Sequence, residues 1–213
     1  MRPMNCIALA SLNRGKLEEF EALFAQHQIK LKSVEEFVRN SSFLKKVESE
    51  ERSATYAENA MRKCKAAFQA AKVPTVADDS GIEIDGLNGA PGVHSAHFGK
   101  PSARESQDQA NRNKVLSDLK GKANRKAKMR CVLTFLVEGV HLQAEGICEG
   151  TIAEKESGSM GFGYDSIFIP DGCGGKTFAE LTKEEKNRVS HRAKAVENLA
   201  NLLKEREIEF VRP

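Results

Sequence analysis

The chain has 213 residues, 40% hydrophobic and 30% charged, with a net charge of +3, the balance of a globular protein of one domain, built as one or two lobes. So small a basic excess argues against a nucleic-acid binder, and no apolar stretch reaches membrane-spanning length. Cys6, Cys64, Cys131, Cys148 and Cys173 are scattered and never form a C-x-x-C pair, which fits a reducing compartment rather than a disulfide framework or a zinc site. Residues 5–10 are too short for the apolar part of a signal peptide, so the cytoplasm is the expected location.

Residues 5–10 have the length of a buried strand, and a polar turn follows. Leu17, Phe20, Leu23 and Phe24 then recur at helical spacing. Residues 31–52 read as a short strand and an increasingly charged loop. The clearest helix is residues 55–71: Thr55 and Glu58 fit a capping box, and Ala57, Ala60, Met61, Cys64, Ala67, Phe68 and Ala71 trace one apolar stripe. Asn59 and Lys63, four apart, share another face.

Residues 75–77 read as a strand ending in Asp78-Asp79-Ser80-Gly81, and Gly86, Gly89, Pro91 and Gly92 mark a loop. Residues 102–119 are polar and helical. Strands over 129–137 and 142–152 meet at Glu138-Gly139. A glycine-rich segment, 157–163, precedes the apolar run 167–170. An amphipathic helix beginning near Ser190 turns Val196, Leu199, Leu202 and Leu203 inward. This order predicts an α/β fold with a mixed sheet and helices packed on it.

Four segments are polar where a core does not require it. Ser11-Leu12-Asn13-Arg14-Gly15-Lys16 sits between strand and helix, where backbone N–H groups and the helix dipole receive phosphate; an N-cap with a solvated lysine is the alternative. Asp78 and Asp79 are neighbours on a strand, so they face opposite ways and have different jobs. One carboxylate can serve as a Mg²⁺ ligand or a base for water, or the pair can make an Asx turn before Gly81. Glu48, Glu50 and Glu51 can complete an oxygen-only metal site or form an acidic loop. Gly161-Phe162-Gly163-Tyr164-Asp165 suits a flat base that is stacked and hydrogen-bonded at its edge. Lys186 with Ser190-His191-Arg192 offers donors at the start of the last helix.

Three other features point elsewhere. Gly172-Cys173-Gly174-Gly175-Lys176-Thr177 imitates the end of a P-loop, but Pro170 occupies the place of its first glycine. His94 and His97 flank a glycine-rich loop without a Cys or acidic companion, which leaves a transition-metal site poorly supported. Residues 120–130 hold Lys120, Lys122, Arg125, Lys126, Lys128 and Arg130, read as a solvated linker running into a strand.

Together these segments resemble the inosine triphosphate pyrophosphatase family, in blocks that occur in order between about residues 7 and 203. The blocks are Ala10 to Lys16, then Thr55-Tyr56-Ala57-Glu58-Asn59-Ala60 with Lys63. Ala77-Asp78-Asp79-Ser80-Gly81 follows, running on through Gly89-Ala90-Pro91-Gly92-Val93-His94-Ser95-Ala96. Gly161 to Asp165 and Glu184 to Arg192 complete the set. The resemblance implies an elongated mixed α/β fold with two lobes around a central cleft, one domain over 1–213, and a homodimer. It implies hydrolysis of ITP, dITP and XTP to monophosphate and pyrophosphate with Mg²⁺ as cofactor. By matching position, Ser11, Leu12, Asn13, Arg14, Gly15 and Lys16 bind the triphosphate, with Lys63 as a second phosphate contact. Asp79 accepts the proton of the attacking water and binds Mg²⁺, with Glu50, or Glu51 beside it, as the second metal carboxylate. Ser80 contacts substrate, and Phe162, Gly163, Tyr164, Asp165, Lys186, His191 and Arg192 form the purine pocket.

Ser11 and Tyr56 stand where relatives often have Thr and Phe. Ser166 stands where a proline commonly follows Tyr-Asp, which leaves the local backbone less rigid and the pose of Asp165 open. A keto oxygen at the purine 6-position separates ITP and XTP from ATP, since an unmatched buried donor costs about 1–3 kcal/mol. The rival functions are a nucleotide-binding module without turnover, a nucleic-acid binder, and a pyrophosphatase for dTTP, UTP or modified pyrimidine nucleotides.

Overall fold

A computed structural model describes residues 5–38, 40, 42 and 53–210. In chain order the strands are β1 (Ile7–Leu9), β2 (Leu31–Ser33), β3 (Thr75–Ile84), β4 (Pro91–Gly92), β5 (Lys126–Val137), β6 (Val140–Ile152) and β7 (Phe168–Pro170). The α-helices among the described residues are α1 (Arg14–Gln26), α2 (Tyr56–Ala71), α3 (Gln107–Asp118), α4 (Lys183–Val189) and α5 (His191–Glu205). The seven strands form one sheet in the order β2-β1-β3-β5-β6-β7, with β4 paired to β3. β1 runs parallel to β2 and β3, while the β3–β4 and β6–β7 pairs are antiparallel, so the sheet is mixed as the sequence predicts.

The chain divides into two compact units. The first takes Met1–Asp79, Cys131–Gly146 and Arg192–Pro213, and the second takes Ser80–Arg130 and Ile147–His191. In the first unit, strand alternation sorts side chains onto two faces. Ile7, Leu9 and Val76 join Phe20, Leu23 and Phe24 of α1 and Ala195, Val196, Leu199 and Leu203 of α5 in one core. Ala8, Ala10 and Ala77 point the other way and pack with Cys64 and Ala67 of α2. The small residues on that side let a helix lie close to the strands. Thr55 caps α2, its Oγ1 accepting from the Glu58 N–H at 3.2 Å, and the helix stops at Lys72 in the left-handed conformation.

The second unit has one core, built from Ile82 and Ile84 of β3, Val115 and Leu119 around α3, Ala127 and Met129 of β5, and Tyr164, Phe168 and Phe178. The Phe168 and Phe178 rings lie 5.2 Å apart between centroids and are tilted by 45°. The five cysteines are free thiols, and no helix among the described residues is long and apolar enough to cross a membrane.

Two elements differ from the sequence-based expectation. The strand that opens at Thr75 does not end at Asp78; β3 continues to Ile84. Ile82 and Ile84 are fully buried, Ile82 and Glu83 pair with Gly92 and Pro91, and the Ile82 N–H donates to Ser95 Oγ, so residues 78–81 stay extended rather than turning. Lys186 lies on a helix of its own, α4, and not at the start of the last one. The Thr182–Glu185 capping box starts α4, and Ser190, with ψ of 152°, separates it from α5.

Phe24 is completely buried, with its ring 6.4 Å from that of Phe20. Phe24→Ala is expected to destabilise the protein by about 3–5 kcal/mol, measured as a shift of the urea unfolding midpoint. A loss below about 1 kcal/mol would mean that the α1 core does not carry this stability.

Candidate active site

Alternation along β3 decides the fate of the two aspartates. Asp78 shares its face with Val76, the side of α1 and α5, and Lys16 Nζ donates to Asp78 Oδ2 at 2.7 Å. Asp78 is 1% exposed. Burial works to raise its pKa, but Lys16, Lys63 and Arg192 outweigh that and hold the carboxyl well below the usual carboxylate range. Asp78 therefore stands as a fixed negative charge that organises cations.

Asp79 shares its face with Ala77, the side of α2. Asn59 Nδ2 donates to Asp79 Oδ2 at 3.1 Å, and Lys63 Nζ lies 3.5 Å from Asp79 Oδ1. Asn59 and Lys63 are one helical turn apart, which is why a single helix face reaches both carboxylate oxygens. All three side chains are buried.

The turn before α1 is built as a helix entry. Asn13 is the N-cap, its Oδ1 accepting from the Lys16 N–H at 3.0 Å, and Ser11 Oγ accepts from the Asn13 N–H at 3.2 Å. These bonds aim the first turn of α1 and its positive dipole end at the end of β1. Leu12, Asn13, Arg14 and Leu17, with Ser33, Glu35 and Glu36, line a concavity of about 320 Å³ against Ser11. Arg192, at the start of α5, donates from Nη1 to Glu19 Oε2 at 2.7 Å.

The second unit carries the aromatic segment. Asp165 Oδ2 accepts from the Phe162 N–H at 2.9 Å and from Lys186 Nζ at 2.7 Å. The Lys186 ammonium lies 5.4 Å from the centroids of both Phe162 and Phe178, a cation held over two ring faces. Gly161 is required here: its φ is +78°, and a Cβ would lie 2.0 Å from Asp165 Oδ2. Tyr164 turns into the core and donates from its hydroxyl to the Ser95 carbonyl at 2.7 Å. Burial pushes its phenol pKa up, with Asp108 adding to the effect, so the group stays a neutral donor. His191, the first residue of α5, is buried, and Ser80 is half-buried on β3.

A family model described as the Ham1 family matches residues 7–202. This chain belongs to the Ham1 family. A dITP/XTP pyrophosphatase of Treponema denticola is 43% identical, covering 93% of this chain and 98% of the relative. The dITP/XTP pyrophosphatase of Bacillus subtilis is 42% identical over 92% and 95% of the two chains. Among solved structures, a HAM1 protein from Coxiella burnetii superposes with a TM-score of 0.78 at 36% identity, covering 95% of this chain and all of that one. The Staphylococcus aureus Ham1 protein gives 0.76 at 33% identity, covering 94% and 98%.

In this Ham1 chain the first unit gathers Ser11, Leu12, Asn13, Arg14, Gly15, Lys16, Lys63, Asp79 and Arg192, and the second holds Ser80, Phe162, Gly163, Tyr164, Asp165, Lys186 and His191. Glu50, with its neighbours Glu48 and Glu51, lies outside the described residues. Sequence reasoning assigned no role to Asn59, although its helical spacing to Lys63 was the signal. It also missed that Asp108 and Arg112 of α3 bond to the aromatic segment, a pair with the same spacing. Ser166, in place of proline, adds a side-chain bond: its Oγ donates to Glu156 Oε2 at 2.8 Å. The decoys settle into plain structure. Gly172, Gly174 and Gly175 take positive φ in a loop before a three-residue turn, and His94 and His97 are exposed. Of the basic stretch, Lys122 and Arg125 donate to backbone carbonyls, while Lys128 and Arg130 pair with Glu83.

Two outcomes follow from these contacts. Lys16→Met removes the 2.7 Å partner of a buried charge. Breaking a fully buried pair costs about 3–5 kcal/mol. With Lys16 19% exposed and Lys63 and Arg192 still in place, about 2 kcal/mol is expected in urea unfolding; an unchanged midpoint would remove the pair from the stability account. For Glu156, burial works to raise the pKa, but hydrogen bonds from Gln109 and Ser166 and the charge of Arg112 prevail and lower it. A depressed folded pKa contributes stability above the unfolded value of about 4.3 and loses it as the pH falls toward the folded value. Glu156→Gln should therefore flatten the acid limb of stability below about pH 5, read from unfolding free energies across pH; a parallel acid limb in the variant would contradict this.

Proposed function

We propose that this chain hydrolyses the non-standard purine nucleoside triphosphates dITP, ITP and XTP to the monophosphate and pyrophosphate. The observation that carries the reading is the Asp79 carboxylate, 4% exposed and held by Asn59 and Lys63. It sits one residue from the Asp78–Lys16 pair that ties β3 to the phosphate-type entry of α1. The names of the Treponema denticola and Bacillus subtilis relatives support the substrate class.

The chemistry of such a site follows from its parts. The α1 entry, Lys16 and Lys63 bind the phosphates and stabilise charge as it moves onto pyrophosphate. Asp79 orients a water molecule and accepts its proton as the new O–P bond forms at the α-phosphorus and the bond to pyrophosphate breaks. Phe162 stacks the base, and the Lys186–Asp165 pair presents a cationic donor that favours a keto oxygen over an amino group.

The donor set suits Mg²⁺. The carboxylate oxygens of Asp79 are accompanied by Asn59 Oδ1, which is buried without a hydrogen-bond partner among the described residues. Mg²⁺ is commonly held by one or two carboxylates plus substrate phosphates. Asp79, with Glu50 by family resemblance, would hold the ion, which when bound supplies charge neutralisation at the phosphate oxygens. The same resemblance supports a homodimer, and the free cysteines accord with the cytoplasm.

The test is pyrophosphate release from dITP, XTP, GTP, ATP and UTP, with and without Mg²⁺. Fast Mg²⁺-dependent turnover of dITP and XTP alone is expected; preference for UTP or no turnover would overturn the reading. Asp79→Asn should lower kcat by about a thousandfold while substrate still binds, and a parental rate would remove Asp79 as proton acceptor.

A further inference from the structure

The segment that presents Phe162 and Asp165 is held from two sides. On one side the Asp165 carboxylate accepts from the Phe162 N–H and from Lys186. On the other, α3 grips the peptide groups at Gly163. The Gly163 N–H donates to Asp108 Oδ2 at 2.9 Å, and the Gly163 carbonyl accepts from Arg112 Nη1 at 2.8 Å. Asp108 and Arg112 are four residues apart, so one helix face supplies both an acceptor and a donor.

Arg112 is itself fixed. Its Nε donates to Glu156 Oε2 at 2.8 Å and its Nη2 to Gln109 Oε1 at 2.8 Å. Gln109 Nε2 in turn donates to Glu156 Oε1 at 2.6 Å, closing a ring of three side chains. Ser166 Oγ donates to Glu156 Oε2, and the Ser157 N–H donates to the Ser166 carbonyl at 2.9 Å, so the ring also holds the residue after Asp165. All three guanidinium nitrogens are engaged, a planar fork that a lysine cannot reproduce. Gly163 has φ of +61° and no neighbour within 4 Å of where a Cβ would sit. Open space lies on that side of Gly163, and the two hydrogen bonds from α3 hold its peptide groups.

We infer that Arg112, locked by Glu156 and Gln109, is a positioning residue that clamps the Gly163 peptide and thereby fixes Phe162 and Asp165 for discrimination among purine bases. This rests on the reading of the chain as a purine triphosphate pyrophosphatase. Arg112 lies on α3, whereas the phosphate contacts and the proton acceptor lie on α1, α2 and β3. Its loss reaches base binding and selectivity, not the chemical step.

The experiment measures kcat and KM for dITP and dATP in the parent, Arg112→Ala, Arg112→Lys and Arg125→Ala. Arg125 is a control from the same unit, an arginine that bonds to the Ile152 and Ala153 carbonyls and not to the segment. Arg112→Ala should raise KM for dITP about tenfold, as the loss of one to two hydrogen bonds implies, and lower the dITP to dATP ratio of kcat/KM. The kcat for dITP should stay within about twofold. Arg112→Lys should restore stability toward the parent in urea unfolding while leaving selectivity impaired. Arg125→Ala should lose stability with selectivity intact. An Arg112→Ala enzyme with parental KM and selectivity overturns the inference, as does equal loss of selectivity in Arg125→Ala. A parent that does not turn over dITP overturns the functional reading instead.

Discussion

Successive side chains of a β-strand must leave on opposite faces, and at Asp78 and Asp79 that rule separates two adjacent carboxylates into different surroundings. Asp78 meets Lys16, and Asp79 meets Asn59 and Lys63. Much of the first unit serves this division. Ala8, Ala10 and Ala77 let α2 come close enough for an amide and an ammonium to reach Asp79, and the larger core of Phe20, Phe24 and Leu199 sets α1 and α5 on the side of Asp78. Two buried carboxylates on one face would have raised one another's pKa and shared one proton. Placed apart, Asp78 has Lys16 as its direct partner and Asp79 has Lys63.

The second unit handles a different problem, which is how to make a glycine-rich segment hold one shape. Gly161 lies against Asp165 while Gly163 faces open space, and polar bonds hold both: Asp165 closes the turn from within and α3 holds it from outside. Tyr164 adds an anchor in the core through the Ser95 carbonyl. The result sets a flat ring beside a charged edge in a hydrogen-bonded segment. Pre-ordering of this kind lowers the entropy cost of binding a rigid base.

How much of this was legible in the chain depended on whether the signal was local. Thr55 and Glu58 announced α2, and the spacing of Phe20, Leu23 and Phe24 announced α1, because caps and helical stripes are written within a few residues. The alternation argument also placed Asp78 and Asp79 on opposite faces without coordinates. The length of β3 was not legible, since the ladder is completed by partners at Pro91, Gly92 and Ser95, some ten residues downstream. The helix carrying Lys186 was legible in Thr182 and Glu185 and was passed over, because only a seven-residue element follows them. Glu156 and Arg112 gave no signal: they lie 44 residues apart and only the folded chain joins them.

One core of the first unit joins its first strand to its last helix. Ile7 and Leu9 of β1 pack in the same cluster as Val196, Leu199 and Leu203 of α5. On the ribosome the first strand emerges long before the last helix exists, and domains generally fold as units. The apolar face of β1 must therefore wait, exposed or only partly covered, until α5 has been made. The second unit, whose stretches run from Ser80 to His191, can close earlier. A ribosome stalled just short of α5 would hold a chain whose second unit has its core residues and whose first unit does not, a vulnerable interval in which proteases and chaperones compete for the opening strand.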